Sequence, residues 1–239
     1  MSQSKSAILC QEVKKTYGAN ENQVQALRGV NLEVIEGEFL ILAGPSGCGK
    51  TTLISIIAGI LDQTAGQCTV YNEDVNHLTE QDRLLFRAQN IGFVFQQFNL
   101  MPTLTAAENV AIPLIINAVP LKEAIDQASA LLGKMGLEGR QHSLPKQLSG
   151  GQQQRVAIAR AIVHQPKLVV CDEPTSSLDA ETGHKVMELM KTLAAVNDRT
   201  IIVVTHDTRI FGFADRVAQM EDGRILRVIG VKEAVTHEF

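Results

Sequence analysis

The residues best suited to chemistry lie in a glycine-rich stretch between two apolar runs, FLILAGPSGCGKTTLISII at 39–57. The spacing of Gly44, Gly49, Lys50 and Thr51 is typical of a loop whose backbone amides wrap phosphates, with a helix N-terminus behind it. Lys50 would reach the β- and γ-phosphates, and the Thr51 hydroxyl is suited to Mg²⁺. A loop that binds nothing is the alternative, and the flanking strand and helix patterns weigh against it. The residues expected to contact nucleotide are Gly44, Pro45, Ser46, Gly47, Cys48, Gly49, Lys50, Thr51 and Thr52.

Two acidic residues follow a second apolar run. Residues 167–171 (KLVVC) are typical of a buried strand, and Asp172 and Glu173 come directly after them. The ends of strands are where α/β sheets place ligands. Beside a phosphate-binding loop, we expect Asp172 to hold Mg²⁺, usually through water, and Glu173 to act as general base on an attacking water. Alone, the pair could be two solvated loop charges.

A third apolar run, TIIVVT at 200–205, leads into His206. A single histidine at a strand end is most often structural or solvent-facing. Its position also suits a sensor of the γ-phosphate, and we expect that role here. The other histidines share no spacing and receive no assignment.

A second device for binding phosphate is predicted in LSGGQQQRVAIARAI, residues 148–162. Ser149 is suited to cap an amphipathic helix, and Gly150 and Gly151 expose the first amides of that helix. The helix N-terminus would then face an anion. One chain therefore carries two such devices, which raises the question of how they meet.

The chain organisation follows from the same patterns. We expect a β-rich start to about residue 38, then the glycine-rich loop and a mixed connection to about residue 89. Helices follow over about 106–162, including the amphipathic segment LKEAIDQASALLGKMGL, and buried strands resume at residue 167. A hairpin near the end turns at Asp222–Gly223, a favoured tight-turn pair.

Composition limits the class of protein. The formal charge of −4 argues against a broad nucleic-acid surface, and we expect no nucleic-acid partner. The N-terminus lacks the apolar core of a signal peptide, and no apolar run is long enough to span a bilayer, so we expect a cytoplasmic chain. The cysteines show no paired spacing and are expected to be reduced thiols without a metal: Cys10, Cys48, Cys68 and Cys171.

Five motifs, GPSGCGKTT, LSGGQ, LVVCDEP, SSLDA and the final His206, resemble in order and content the nucleotide-binding subunit of ATP-binding cassette (ABC) transporters. The resemblance runs from about Ile8 to Arg227. It implies an α/β fold: a P-loop NTPase core with an N-terminal antiparallel β subdomain and an inserted α-helical subdomain. It also implies an ATP hydrolase with ATP and Mg²⁺ as cofactors.

The resemblance assigns further residues. Tyr17 looks like the aromatic that stacks on adenine. Gln96 resembles the glutamine that reaches Mg²⁺ and the attacking water, although the adjacent Gln97 is the alternative. Asp179 resembles a loop residue that communicates across a dimer. Family members pair head to tail, so that the signature residues of one subunit complete the ATP site of the other; here these are Ser149, Gly150, Gly151 and Gln152.

The same resemblance implies one ABC ATPase domain over residues 1–239. Residues of about 8–88 and 163–227 would form the catalytic core with the β subdomain. Residues of about 89–162 would form the glutamine loop and helical subdomain, and 228–239 a short tail.

The stretch IGFVFQQFNLMPTLTAAENVAIPL is similar to the branch of macrolide-efflux and lipoprotein-release ATPases. The implied partners are a second copy of the chain and an integral membrane permease, with or without an extracytoplasmic adaptor, at the cytoplasmic face of the inner membrane. Export or lipoprotein and lipid release is the expected role. The alternative is a regulatory ATPase that signals to cell-wall hydrolases without moving cargo. We expect the permease to dock on Phe98, Leu100 and Met101.

Overall fold

The computed structural model describes residues 5–18, 22–195 and 199–236. The strands are β1 Ser6–Tyr17, β2 Val24–Ile35, β3 Phe39–Ala43, β4 Ala65–Val70, β5 Glu73–Asp74, β6 Ile91–Val94, β7 Leu168–Asp172, β8 Thr200–Thr205, β9 Arg216–Glu221 and β10 Arg224–Gly230. The helices are α1 Lys50–Ile57, α2 Glu80–Asn90, α3 Ala106–Ile116, α4 Leu121–Lys134, α5 Gly150–Ile162, α6 Ala180–Ala195 and α7 Val231–Thr236.

A six-stranded sheet forms the centre of the fold, in the order β10-β9-β3-β8-β7-β6. Its strands are parallel except β10, which pairs antiparallel with β9 through the predicted turn at Asp222–Gly223. Every residue of β3, β7 and β8 is buried, as their continuous apolar sequences predict. Because parallel strands end at one edge, the segments after β3, β6, β7 and β8 lie along that edge.

Alternate residues of the central strands point into two separate cores. Phe39 and Ile41 of β3 face a core shared with α3, α4, α5 and α6. Leu40 and Leu42 face a second core that contains the apolar side of α1 and the inner face of a four-stranded antiparallel sheet, β2-β1-β4-β5. The fold is the predicted α/β architecture, with its N-terminal antiparallel sheet and its helical insertion.

Two cysteines without any paired spacing in sequence meet in the antiparallel sheet. Cys10 of β1 lies opposite Cys68 of β4, with 3.7 Å between the sulfur atoms. Both are buried free thiols, and their contact together with burial raises the pKa of Cys10. Register between strands brought them together, which spacing along the chain could not show.

The end of the chain carries more structure than the short tail expected at 228–239. Residues to Gly230 complete β10, and α7 follows with Ala234 buried in the core. Residues 237–239 lie outside the described part of the chain. Within that described part, no helix is long and apolar enough to cross a membrane.

The docking surface expected at Phe98, Leu100 and Met101 is only partly exposed. Met101 faces solvent, but Phe98 and Leu100 are half-buried and Leu100 packs against the helical core. A groove of about 450 Å³ lies instead between α2, α3, β6 and α5. Its exposed apolar side chains are Ile60, Leu84 and Ile116.

Candidate nucleotide-binding and hydrolysis site

The glycine-rich loop joins β3 to α1 at the carboxyl edge of the central sheet. Gly49 has φ of 103°, and a Cβ there would lie 2.5 Å from the Ala26 carbonyl oxygen, so a side chain is excluded. The Lys50 ammonium is buried and donates to the carbonyls of Gly44 and Pro45 at 2.8 and 2.7 Å. The lysine therefore lies within the loop, where the loop amides and α1 favour an anion.

Thr51, at the start of α1, meets Asp172 at the end of β7. The Thr51 hydroxyl donates to the two carboxylate oxygens at 3.3 and 3.1 Å. Burial raises the pKa of Asp172, and nearby Glu173 raises it further, while the Thr51 hydrogen bond and Lys50 lower it. A hydroxyl and a carboxylate oxygen side by side are the hard ligands that Mg²⁺ prefers, so this donor set fits the ion.

Three predicted hydrolytic residues from three strand ends converge at Glu173. The Gln96 side-chain amide donates to Glu173 Oε2 at 3.3 Å, and His206 Nδ1 lies 2.9 Å from Oε1. Of the two candidate glutamines, it is Gln96 that contacts Glu173. Glu173 is mostly buried, whereas His206 is exposed. The Glu173 carboxylate can therefore accept a proton from a water, while the Gln96 amide and the His206 imidazole orient that carboxylate.

The backbone of Glu173 is held in an uncommon conformation. Its φ of 45° is in the left-handed region, which costs of order 1–3 kcal/mol for a residue with a side chain. The Glu173 N–H donates to Val204 O at 2.9 Å, and the Ser176 hydroxyl donates to Glu173 O at 3.0 Å. These bonds fix the strand end so that the carboxylate faces Gln96 and His206.

Space for a substrate lies on both sides of His206. A cleft of about 440 Å³ is lined by Glu173, Ser176 and His206. A second cavity of about 280 Å³ is lined by Gly44, Pro45 and His206. His206 therefore lies between the proposed base, Glu173, and the glycine-rich loop with the start of α1, residues 44–52, which we call the phosphate cradle.

Tyr17 ends β1 beside the cradle. Its hydroxyl lies 3.5 Å from the Thr52 hydroxyl, and its half-exposed ring has Lys15 Nζ 5.3 Å from the centroid. An open aromatic face next to α1 is a suitable platform for a planar base.

The signature residues lie at the start of α5. Ser149 accepts from Gln152 N at 3.3 Å, and Gln152 Oε1 accepts from Ser149 N at 2.9 Å, forming a capping box. Gly150 and Gly151 therefore lie in the first turn with their amides directed outward from the helix end. Among the described residues, no hydrogen bond joins residues 149–152 to the cradle at 44–52.

The first turn of α5, residues 149–152 (the signature turn), packs against the loop that carries Asp179. A Cβ on Gly151 would lie 2.4 Å from the Thr182 methyl, and one on Gly150 would meet Ser177 and Leu178 at normal contact distance. Asp179 caps α6 by accepting from Thr182 N at 3.0 Å, and bonds from Thr182 lower the pKa of its carboxyl.

Ser176 and Arg160 support the site, but the sequence motifs that contain them, SSLDA and LSGGQQQRVAIARAI, predicted no role for either. Both act by donating to backbone carbonyls, and Arg160 donates to Phe98 O and Asn99 O across the fold. Ser176 could have been noticed as a serine three residues after the expected base.

A phosphate cradle, a hydroxyl–carboxylate pair and a glutamate oriented by glutamine and histidine define a P-loop nucleoside triphosphatase. The sequence profile of the ABC transporter family matches residues 27–176. The chain belongs to this family, and it is an ATP-binding, ATP-hydrolysing cassette.

Relatives and solved structures agree with that membership. An ABC transporter ATP-binding protein of Thermotoga maritima is 46% identical over 215 residues, which are 90% of this chain and 91% of that protein. The macrolide export ATP-binding/permease protein MacB of Hyphomonas neptunium is 40% identical over 97% of this chain and 36% of its own length. The dimeric cassette MJ0796 of Methanocaldococcus jannaschii, bound to ADP and Pi, superposes with a TM-score of 0.87 at 41% identity, over 97% of this chain and 100% of that one.

Proposed function

We propose that this cassette works as a homodimer with two composite ATP sites and drives a membrane permease. The observation that carries the proposal is that, among the described residues, no hydrogen bond joins the cradle at 44–52 to the signature residues at 149–152 of the same chain. Each is half of a phosphate site, and a head-to-tail partner would bring Ser149 of one copy to Lys50 of the other. The dimeric MJ0796 cassette, similar to this chain over nearly its whole length, supports that arrangement.

At each site, the chain's own groups bind the phosphates and move a proton. The Lys50 ammonium exchanges the Gly44 and Pro45 carbonyls for anionic phosphate oxygens. Glu173 accepts the proton of the attacking water, while Gln96 and His206 hold its carboxylate and the γ-phosphate in place. Mg²⁺, held by Thr51, Asp172 and Gln96, would supply charge stabilisation to the phosphoryl oxygens.

We propose the groove between α2, α3, β6 and α5 as the permease site. Its occupant is a cytoplasmic helix of the permease, laid against Ile60, Leu84 and Ile116. MacB, which matches 97% of this chain over 36% of its own length, is by name an ATP-binding/permease protein, and this supports a membrane partner and an export role here. Docking of this kind would place the cassette at the cytoplasmic face of the inner membrane.

The proposal is tested by Glu173→Gln. This change keeps the shape of the side chain but removes its ability to accept a proton, so hydrolysis should fall by roughly 10²–10⁴-fold. ATP should still bind and, unhydrolysed, hold two subunits together. Light scattering after size exclusion should show a dimer that depends on MgATP.

Lys50→Ala is the matched control, because it removes the phosphate cation and should stay monomeric with or without MgATP. A Glu173→Gln protein that remains monomeric at saturating ATP would contradict the composite site. A Glu173→Gln protein that hydrolyses ATP at the wild-type rate would contradict the assignment of the base.

A further inference from the structure

Arg160 links the signature helix to the segment that follows the glutamine. It lies near the carboxyl end of α5, half-buried in the wall of the groove. Its Nη1 donates to Asn99 O at 2.7 Å and its Nη2 donates to Phe98 O at 2.9 Å. Burial lowers the pKa of this guanidinium. Two short charge-assisted bonds from one rigid fork fix two consecutive peptide groups.

The fixed carbonyls are close in sequence to Gln96. On the other side of Gln96, β6 ends at Val94 and is anchored by its pairing with β7. Asn99 has φ of 47°, so the chain turns sharply where Arg160 holds it. Gln96 is therefore held on one side by β6 and on the other by the Arg160 hydrogen bonds. Its side-chain nitrogen lies 3.3 Å from Glu173 Oε2.

We propose that Arg160 is the positioning residue for Gln96 and sets the rate of ATP hydrolysis through it. This inference rests on the proposed role of Gln96. Without the Arg160 guanidinium, the carbonyls of Phe98 and Asn99 lose these hydrogen bonds, and the Gln96 amide moves away from Glu173. The phosphate contacts of the loop amides and Lys50 do not depend on that contact, because they lie at a different strand end.

The first test compares Arg160→Ala and Arg160→Lys with wild type for steady-state ATPase. The kcat of Arg160→Ala should fall roughly 10- to 100-fold, the range for a displacement of about 1 Å at a reacting group. Measured without Mg²⁺, so that only the loop amides and Lys50 hold the phosphates, the Kd for a fluorescent ATP analogue should stay within about twofold. Arg160→Lys, which keeps the charge but not the fork, should recover part of the rate.

Arg199→Ala is the matched control. Arg199 is buried and, like Arg160, donates to a backbone carbonyl, Pro166 O at 2.9 Å, which precedes β7 and so lies at the opposite edge of the sheet from Gln96. Its kcat should stay within about twofold of wild type. Equal losses in Arg199→Ala and Arg160→Ala would indicate general loosening of the fold and would overturn the proposal.

The second test places Arg160→Ala in a Gln96→Ala background. If Arg160 acts through Gln96, its removal lowers kcat in wild type but changes nothing once Gln96 is absent. Equal losses in both backgrounds overturn the role of Arg160 and leave that of Gln96 intact. A Gln96→Ala protein with wild-type kcat overturns the role of Gln96 itself. Thermal unfolding checks that each variant is folded, and Arg160→Lys repeats the cycle if Arg160→Ala is not.

Discussion

Single residues of the site already have partners inside the chain. Lys50 is bound to two carbonyls of its own loop, and Thr51 is bound to Asp172. Such contacts hold the side chains in place before a ligand arrives, at the cost of exchanging partners on binding. Neutral carbonyls are weaker acceptors for an ammonium than anionic phosphate oxygens, so the exchange favours the phosphates.

Cys48 offers a chemical probe of the cradle. It is 6% exposed, against at most 1% for the other three cysteines, and its sulfur lies 3.7 Å from Lys50 Nζ. We expect N-ethylmaleimide to modify Cys48 slowly and first, to block ATP binding, and to be slowed by MgATP covering the loop. Peptide mass spectrometry with and without nucleotide measures this.

Cys48→Ser is the control for the thiol. It should keep its ATPase activity, because no step requires the sulfur, and it should lose the protectable modification. Equal labelling of Cys48 with and without MgATP would show that nucleotide does not cover this loop.

At the residue scale, sequence alone could predict the groups whose chemistry is local. The cradle, Asp172, Glu173 and Ser149 stand in short patterns because backbone geometry fixes their neighbours. Arg160 could not be found in this way, since its partners are carbonyls that carry no side-chain signature and lie far along the chain.

At the scale of secondary-structure elements, one glycine allows two helices to pack closely. Gly151 of α5 lies against Thr182 of α6, with space for hydrogen but not for a methyl group. Gly151→Ala should destabilise the fold by about 1–3 kcal/mol through overpacking. Chemical denaturation measures the change in the free energy of unfolding.

Two variants isolate that contact. Gly150→Ala gains similar helix propensity but meets neighbours only at 3.8 Å or more, so it should not be destabilising. Thr182→Ser removes the methyl and keeps the hydroxyl, so it should restore much of the stability of Gly151→Ala. A Gly151→Ala protein as stable as Gly150→Ala would contradict the close packing of α5 on α6.

Helices and strands with a strong hydrophobic period were predictable from the sequence, but the tertiary contacts between them were not. The amphipathic segment 121–137 forms α4 as its helical period predicts, and the helix ends at Lys134, just before Gly136 with φ of 69°. The apolar residues after Gln96 were expected to face a partner. Leu100 instead packs on the helical core, because a short loop beside that core can bury an apolar side chain without forming a regular element.

At the scale of the whole molecule, the groove between α2, α3, β6 and α5 brings together three exposed apolar side chains, Ile60, Leu84 and Ile116. Leu84, in the groove, is 52% exposed, and Leu226, on the edge strand β10, is 54% exposed. Leu84→Glu should abolish binding of the permease by placing a charge in an apolar interface, while ATPase activity of the isolated cassette is kept. Affinity purification in mild detergent, with mass spectrometry of the membrane proteins recovered, measures this.

Leu226→Glu is matched in residue type and exposure but lies outside the groove, so it should leave permease binding unchanged. Equal recovery of one membrane protein with wild type, Leu84→Glu and Leu226→Glu would show that the groove is not the docking site.

The fold class was predictable because buried strands alternate with helices in the sequence. The strand order was not, since nothing local in β8 shows that it lies between β3 and β7. That order brings the ends of β6, β7 and β8 together, and with them Gln96, Glu173 and His206.

The proposed head-to-tail pairing has a genetic consequence. In such a dimer, a defect at Lys50 would damage the site on its own chain, whereas a defect at Ser149 would damage the site on the neighbouring chain. When a Lys50→Ala copy pairs with a Ser149→Arg copy, both defects fall in one site and the other site keeps two sound halves. Two inactive alleles would therefore complement each other in a mixed population, although neither would work alone.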